Sequence, residues 1–160
     1  MTAGTEHDRE LDSDLVSIIM PTYNCGAFIA ETIATVQAQT HPRWELIVVD
    51  DCSTDDTTDV VGALAKDDPR IRYVRLETNS GAAMARNRAM ELAQGRYMAF
   101  LDSDDLWHPD KLRRQIDFMT SRDVAMSCTA YAQIDERGVP TGRIVRSPAR
   151  ISYNRLLLDC

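Results

Sequence analysis

The amino-acid sequence predicts an α/β protein in which a parallel sheet has helices on both faces, with an antiparallel hairpin near the C-terminal end. Two observations predict this class. Short runs of β-branched and aromatic residues alternate with longer stretches of helical periodicity, and this happens four times along the chain. The connections between them are short, and alternation through short connections is typical of parallel sheets with right-handed crossovers.

Four runs have the composition of buried strands, rich in β-branched and aromatic residues and bounded by polar or turn-forming ones. They cover residues 16–20, 45–50, 71–76 and 97–101. We therefore predict four strands in this order.

An amphipathic helix is predicted after each of these strands. The first, residues 27–39, is expected to bury one face, formed by Phe28, Ile29, Ile33 and Val36. The second follows residues 53–55, any of which could cap it. The third, residues 81–93, is built largely of Ala and Met, and Gly95 is expected to end it as a left-handed cap. The fourth starts after Pro109.

The two ends of the chain depart from this pattern. Residues 1–14 are polar and acidic and are predicted to be a disordered tail, so the folded domain is expected to cover residues 15–160. Runs at residues 124–134 and 143–146 flank a glycine turn and predict an antiparallel hairpin added to the sheet. A last, apolar helix is expected to begin near Ser152.

Composition excludes several classes of function. The chain has 160 residues and a net charge of −7, and most of this excess comes from the acids of residues 1–14. Without a basic stripe, no nucleic-acid partner is expected. No apolar run reaches the roughly 20 residues of a membrane-spanning helix, so no transmembrane segment is expected. The four cysteines and three histidines lack metal-ligand spacing, so we expect reduced thiols and neither zinc nor disulfides.

Polar residues gather directly after the predicted strands. In an open parallel sheet, ligands bind beyond the carboxyl ends of the strands, at the point where the strand order reverses. The residues at these ends are therefore candidates for a site. In chain order they are Pro21, Thr22, Tyr23, Asn24, Asp50, Asp51, Asn79, Gly81, Arg86, Asp102, Ser103, Asp104 and Asp105.

Asp102 and Asp104 carry the sharpest signal among these residues. Two carboxylates that leave a strand two residues apart can lie on the same side of an extended backbone, where they repel each other unless a cation is present. Oxygen ligands suit a hard divalent ion, Mg²⁺ or Mn²⁺, especially when substrate phosphates complete its coordination shell. The alternative is an acidic turn that caps the following helix.

The remaining candidates suit a nucleoside and an anion. Asp50 and Asp51 could accept hydrogen bonds from a base or ribose, or form a solvated turn before a helix. Tyr23 offers a ring face, and Arg86 lies on a helix whose start at Gly81 suits an anion. The alternatives are simple packing for the tyrosine and a surface position for the arginine. Together these residues describe a sugar-nucleotide pocket, although the sequence lacks both the Gly-x-Gly-x-x-Gly and the P-loop phosphate cradles.

Four motifs stand at these positions: VSIIMPTYN at residues 16–24, ELIVVDDCSTDDT at 45–57, NSGAAMARN at 79–87 and GRYMAFLDSDDLWHPDKL at 95–112. They strongly resemble those of family 2 glycosyltransferases, which have the Rossmann-like, glycosyltransferase A-type fold. The resemblance covers about residues 15–158, and it is closest to bacterial enzymes of teichuronic-acid, capsule or lipopolysaccharide assembly.

The resemblance implies a role for each residue of the nucleotide pocket. Asp51, or its neighbour Asp50, would bond the base, and Arg86 would also reach the nucleotide. The base pocket would be lined by Pro21, Thr22 and Tyr23.

The resemblance likewise implies a divalent metal cofactor, Mn²⁺ or Mg²⁺. Asp104 would bind the metal that bridges the diphosphate, with Asp102 beside it at the ribose, and Asp105 would be a supporting acid. Cys52 stands where the family often has glycine, so the turn there is expected to differ slightly.

The activity implied is metal-dependent, inverting transfer of a sugar from a nucleotide-sugar donor, with UDP favoured, to a polysaccharide or lipid-linked acceptor. Family members continue past this point into an acceptor site with an acidic general base, so the base is expected beyond Cys160 and the domain is expected to be incomplete on its acceptor side. The alternative is a truncated, catalytically inactive module that binds nucleotide sugars.

Location and assembly follow from the ends of the sequence. The acidic start is unlike a secretory signal, so a cytoplasmic location is expected, peripheral at the inner membrane face if the acceptor is lipid-linked. The apolar last helix predicts either self-association or completion by a partner.

Overall fold

The computed structural model describes residues 12–135 and 137–147 of the chain, which divides after Arg114 into two compact units. In its described residues the first unit contains the strands and helices β1 (Asp12–Thr22), α1 (Gly26–Gln37), β2 (Trp44–Asp50), α2 (Thr57–Asp67), β3 (Ile71–Arg75), α3 (Ala82–Leu92) and β4 (Gly95–Phe100). Helix α4 (Lys111–Arg122) begins in the first unit and ends in the second, which also contains β5 (Tyr131–Ile134) and β6 (Pro140–Val145).

The strands of the first unit form one parallel sheet in the order β3-β2-β1-β4. β1 pairs with β2 up to Thr22 opposite Asp50, and with β4 up to Ile19 opposite Phe100. The strand order therefore reverses at β1, which lies between β2 and β4. The predicted α/β class with a parallel sheet is confirmed.

β1 is longer than the predicted first strand. It begins at Asp12 and so includes residues 12–14, which the sequence assigned to the tail. Residues 1–11, the rest of the predicted tail, lie outside the described residues.

The core lies on both faces of this sheet. All residues of β2 are buried, as expected for a strand with neighbours on both sides. On one face Ile19, Ile47 and Val49 pack against Ala85 and Ala89 of α3. Because side chains alternate along a strand, the intervening residues point to the other face, and they are also fully buried: Ile18, Met20, Leu46 and Val48. Both faces are therefore covered.

The prediction that Gly95 ends the third helix is wrong. α3 ends at Leu92, the backbone at Ala93 is extended, and Gly95 is the first residue of β4. A Cβ atom at Gly95 would lie 2.5 Å from the carbonyl oxygen of Leu15 and 2.8 Å from the backbone nitrogen of Ser17. The position needs glycine because the backbone of β1 lies against it, not because the chain turns there.

A buried polar cluster holds the start of β4 against β1 and β2. Ser17 Oγ donates a hydrogen bond to Glu45 Oε1 at 2.6 Å. The backbone N–H of Gln94 donates to Glu45 Oε1 at 2.7 Å, and that of Gly95 donates to Ser17 Oγ at 2.8 Å. Arg72 Nη1 lies 3.6 Å from Glu45 Oε2 and balances its charge. Because buried polar groups are costly without partners, the cluster favours this one register.

The second unit contains the predicted hairpin. β5 and β6 are antiparallel, with Tyr131 opposite Val145, and they pair with each other in a two-stranded sheet of their own. They are not added to the four-stranded sheet as the sequence suggested. The last predicted helix, near Ser152, lies outside the described residues.

In the described part of the chain, no helix has both the length and the apolar composition needed to cross a membrane.

Asp68 and Arg70 form an ion pair in the turn between α2 and β3. Arg70 Nη2 lies 2.7 Å from Asp68 Oδ2, and its guanidinium stacks 3.8 Å from the centre of the Trp44 ring. Gln37 Nε2 also donates to Asp68 Oδ2 at 3.2 Å. The hydrogen bonds from Arg70 lower the pKa of Asp68 from 3.8 to about 2.

We expect Gly95→Ala to destabilise the protein by about 1–3 kcal/mol, because the added methyl group meets backbone that cannot move without breaking the pairing of β1 and β4. The matched control is Gly62→Ala in α2, where a Cβ atom would meet nothing within 4 Å. That change should stabilise the helix by about 0.5–1 kcal/mol. Urea denaturation measures both variants, and equal stability of the two would contradict this account of Gly95.

We expect Asp68 to make stability depend on acid pH. A carboxyl group whose pKa is lower in the folded state stabilises it above its unfolded-state pKa, and this contribution is lost as the pH falls from about 4 towards 2. After allowance for the half-exposed Arg70, its size is about 1–2 kcal/mol. Unfolding measured at pH 6 and pH 2.5 should show a difference between wild type and Asp68→Asn that shrinks at the lower pH. The matched control variant is Asp67→Asn, at the exposed neighbouring position.

Candidate functional site

A cleft of about 360 Å³ opens at the carboxyl ends of β1 and β4, where the strand order reverses. This is where open parallel sheets bind ligands. The lining residues come from four separate segments of the first unit: Pro21, Thr22, Tyr23, Asn24, Cys25, Phe28, Asp51, Ala82, Arg86, Asp102, Ser103 and Asp104. Of the residues that the sequence predicts at the strand ends, four do not line the cleft: Asp50, Asn79, Gly81 and Asp105.

The end of β1 supplies an aromatic ring and a hydroxyl group. Tyr23 is 51% exposed and lines the cleft. Thr22 is only 3% exposed, and its Oγ1 forms no hydrogen bond with any of the described residues. Because a buried hydroxyl without a partner is costly, Thr22 Oγ1 is a candidate to bond a ligand.

Asp51 is tied to the loop before α3. It is buried, and its two carboxylate oxygens accept the backbone N–H groups of Ser80 and Gly81, each at 2.7 Å. Asn79 Nδ2 donates to the Asp51 carbonyl oxygen at 3.1 Å. Asp51 thereby sets the start of α3, the helix that carries Arg86 into the cleft. Each carboxylate oxygen has a second lone pair, so these bonds leave it able to accept from a ligand.

Arg86 and the two acids after β4 line the same cleft. Arg86 Nη2 lies 2.5 Å from Asp102 Oδ1, and both side chains are partly exposed. Asp104 is exposed on the same cleft and forms no hydrogen bond or ion pair with the residues that the structure describes. One carboxylate of the pair is therefore neutralised by the protein, and the other is open to a cation.

These acids can hold a metal only with help from a ligand. Within residues 12–135 and 137–147, no three His, Cys, Asp or Glu side chains converge on a point that could hold a metal ion. Mg²⁺ and similar hard cations are often bound by one or two carboxylates together with substrate phosphates. Asp104, with Asp102 beside it, fits this second type of site.

Titration of the nearby groups reflects burial and the local negative charge. The pKa of Asp105 is raised. Desolvation is the main cause, and the negative charges of Asp104 and Asp102 add to it. Burial is the main reason that the pKa of Cys25 is raised, so its thiol stays protonated and weakly nucleophilic. Cys25 Sγ donates to the Ser103 carbonyl oxygen at 3.4 Å, which ties the two sides of the cleft together.

Asp50 is fully buried behind the cleft and is fully bonded there. Its Oδ1 accepts from Ser53 N at 2.8 Å and from Ser53 Oγ at 2.5 Å. Its Oδ2 accepts from Tyr73 Oη at 2.7 Å and from Thr58 Oγ1 at 3.2 Å. Of the two neighbouring acids that the resemblance offered for contact with the base, only Asp51 therefore lies on the cleft.

Sequence reasoning misplaced Phe28. It was predicted on the buried face of the first helix, but it is 45% exposed and lines the cleft. The helical spacing contains the signal that was missed. Ile29, Ile33 and Val36 follow the spacing i, i+4, i+7 and are buried, whereas Phe28 lies one position off that stripe.

Cys52, where the resemblance implies glycine, lies in a turn whose backbone conformation favours that residue. Its φ is +66°, in the left-handed region that favours glycine. The Cys52 thiol donates to the Leu76 carbonyl oxygen at 2.9 Å, so the side chain gains a contact that glycine would lack. Cys52 therefore adopts the left-handed backbone conformation that glycine would adopt in this turn.

Comparison with known proteins gives one family. Residues 17–158 match Glycosyl transferase family 2. The chain is 50% identical over 143 residues to the putative teichuronic acid biosynthesis glycosyltransferase TuaG of Bacillus subtilis, covering 89% of this chain and 57% of that protein. It is 43% identical over 150 residues to WfgD of Escherichia coli, named as a UDP-Glc:α-D-GlcNAc-diphosphoundecaprenol β-1,3-glucosyltransferase, covering 94% of this chain and 58% of WfgD.

A solved structure shares the fold. The mannosyltransferase PcManGT of Pyrobaculum calidifontis, in complex with GDP-Man and Mn²⁺, superposes with a TM-score of 0.62 at 26% identity, covering 81% of this chain and 40% of that one. The chain thus spans a little over half the length of the two curated relatives, and less than half of this structural neighbour.

Proposed function

This chain belongs to glycosyl transferase family 2, and from that premise we propose that it is the donor-binding part of an enzyme that transfers a sugar, with inversion, from a UDP-sugar to a polysaccharide or lipid-linked acceptor. The observation that carries the proposal is the cleft at the strand reversal. There an exposed aromatic residue, a buried hydroxyl that bonds to none of the described residues, an Asp–Arg ion pair and a further exposed acid line one cleft.

The charges of the cleft support a metal-dependent donor site. Its lining contains three carboxylates, Asp51, Asp102 and Asp104, against one guanidinium, Arg86. A nucleoside diphosphate is also negative and would be repelled by this excess without a cation. A bound Mn²⁺ or Mg²⁺ would neutralise the diphosphate as it becomes the leaving group. Asp104 would hold this cation with Asp102 beside it, and the Mn²⁺ complex of the structural neighbour is consistent with such a site.

The other lining residues suit the nucleoside. In our proposal the Tyr23 ring stacks on the base, and Thr22 Oγ1 and Asp51 bond it. Arg86 is paired with Asp102 on the cleft. From there its guanidinium can also bond a ribose hydroxyl or a phosphate. Pro21, near the end of β1, would also line the base pocket, and its ring fixes the backbone φ there.

The general base of the reaction is proposed to lie outside the cleft residues. An inverting transfer needs a group that removes the proton from the acceptor hydroxyl. The carboxylate of Asp51 is bonded to two backbone N–H groups, Asp102 is paired with Arg86, and Asp104 is assigned to the cation. None of the three is left for this step.

Our proposal for the sugar donor and the acceptor rests on the names of two relatives. WfgD is named for UDP-Glc and for a diphosphoundecaprenol-linked acceptor, and TuaG for teichuronic acid biosynthesis. Both names describe sugar transfer during assembly of a bacterial surface polymer. The same class of donor and acceptor is our proposal here, at the inner face of the membrane.

We expect the 160-residue chain to bind UDP when Mn²⁺ is present and to bind it much more weakly in EDTA. Asp104→Asn keeps the size of the side chain and removes its charge, so it should weaken Mn²⁺-dependent UDP binding by about 10–100-fold, the value of one interaction with a charged group. Isothermal titration of UDP into both proteins, with Mn²⁺ and then with EDTA, measures the effect.

The control is Asp67→Asn, which removes an exposed carboxylate from the end of α2, away from the residues that line the cleft. It should bind UDP like the wild type. The proposal is wrong if UDP binds equally well in EDTA, if Asp104→Asn behaves like Asp67→Asn, or if neither UDP nor GDP binds at all.

A further inference from the structure

One wall of the cleft is a strained turn. Asn24 lies between β1 and α1, lines the cleft, and has a φ of +49°. Asparagine tolerates the left-handed region better than most residues, but the conformation still costs energy and persists only when the surrounding structure holds it. The contacts that hold Asn24 therefore help to set the shape of the cleft.

Those contacts come from the loop between β2 and α2. The backbone N–H of Asn24 donates to Ser53 Oγ at 2.9 Å, and Asn24 Oδ1 accepts the backbone N–H of Thr54 at 2.7 Å. The next residue is held in the same way, since the N–H of Cys25 donates to Thr57 Oγ1 at 2.9 Å. The turn is thus clamped against this loop.

Ser53 Oγ accepts from Asn24 while it donates its own hydrogen to Asp50. A hydroxyl group has one hydrogen to donate, and Ser53 Oγ donates it to Asp50 Oδ1 at 2.5 Å. This fixes the direction of the hydroxyl and leaves its lone pairs towards the N–H of Asn24. Asp50 also accepts the backbone N–H of Ser53, which holds the residue in place.

Asp50 is held in turn from β3. It is fully buried, and a buried carboxylate is tolerated only when donors surround it. The Tyr73 hydroxyl supplies one such donor to Asp50 Oδ2 at 2.7 Å. Burial, together with the hydrogen bond to Asp50, raises the pKa of Tyr73 to about 12, so the hydroxyl is protonated and able to donate at neutral pH.

We infer that Tyr73 and Asp50 are positioning residues for the donor site, acting through Ser53 to hold Asn24 and so the wall of the cleft beside Tyr23. Neither Tyr73 nor Asp50 lines the cleft. The chain of hydrogen bonds runs from β3 through the end of β2 to the turn after β1. This inference rests on the proposed nucleotide site, and it adds to that site two residues that do not touch the ligand.

The first test is Tyr73→Phe, which removes only the hydroxyl. We expect UDP binding in Mn²⁺ to weaken about fivefold, the size of one lost hydrogen bond, at a temperature far below the unfolding midpoint. The matched control is Tyr97→Phe, a tyrosine of β4 whose hydroxyl bonds to none of the described residues and which does not line the cleft. A Tyr73→Phe variant that melts earlier but binds UDP with unchanged affinity would show a structural role only and would overturn the inference.

The second test asks whether Tyr73 and Ser53 act through the same series of hydrogen bonds. Ser53→Ala breaks the link between Asp50 and Asn24, so adding Tyr73→Phe to it should weaken UDP binding little further. Independent contributions would instead multiply, and the double variant would lose the product of the two single losses. Multiplying losses would overturn the proposed connection.

A readout without nucleotide separates this inference from the proposed function. Hydrogen exchange of the Asn24 amide reports on its bond to Ser53, and Tyr73→Phe should speed that exchange while Tyr97→Phe leaves it unchanged. If the wild-type chain binds no nucleotide, the proposed function fails and the exchange result still decides whether the chain of bonds holds the turn. Unchanged exchange in Tyr73→Phe would overturn the inference.

Discussion

Backbone pairing of β1 with β2 on one side and β4 on the other is the constraint on which the cleft depends. It brings to one edge of the sheet three strand ends that are distant in sequence, and with them the aromatic ring of Tyr23 and the acids after β2 and β4. The close contact at Gly95 and the buried cluster of Ser17 and Glu45 hold this pairing at the opposite end of the strands. The register of β4, and so the placement of Asp102 and Asp104, follows from contacts far from the cleft.

The acids in and behind the cleft differ in their hydrogen-bond partners, and these partners determine what each acid can do. Asp50 and Asp51 are neighbours in sequence, yet alternation along the strand end turns them to different surroundings. Asp50 is enclosed by hydroxyl and backbone donors, whereas Asp51 faces the cleft and holds the start of α3. Asp102 and Asp104 divide in a similar way, because Arg86 neutralises the first and leaves the second open. Among the residues that the structure describes, Asp104 has no such partner, and it is therefore the acid best placed to attract a cation.

Much of the site could be predicted from the sequence, because strand ends in a parallel sheet are ligand sites and polar residues mark where the strands end. Tyr23, Asp51, Arg86 and Asp104 were found in this way and do line one cleft. Phe28 and Gly95 were misassigned for a common reason. An apolar residue beside a buried stripe, or a glycine after a helix, has an ordinary local explanation, and only its neighbours in space reveal another one.

By itself, the sequence determined the class of fold, the order of the elements and the family, since periodicity and ordered motifs are local properties that survive without coordinates. Tertiary structure alone decided which acid faces the cleft, which is neutralised and which is buried behind it. It also brought in Tyr73, whose hydroxyl bonds Asp50 from a strand 23 residues further along the chain. The physical reason is that the function of a carboxylate depends on the donors around it, and in this protein those donors come from different strands and loops that meet only in the folded chain.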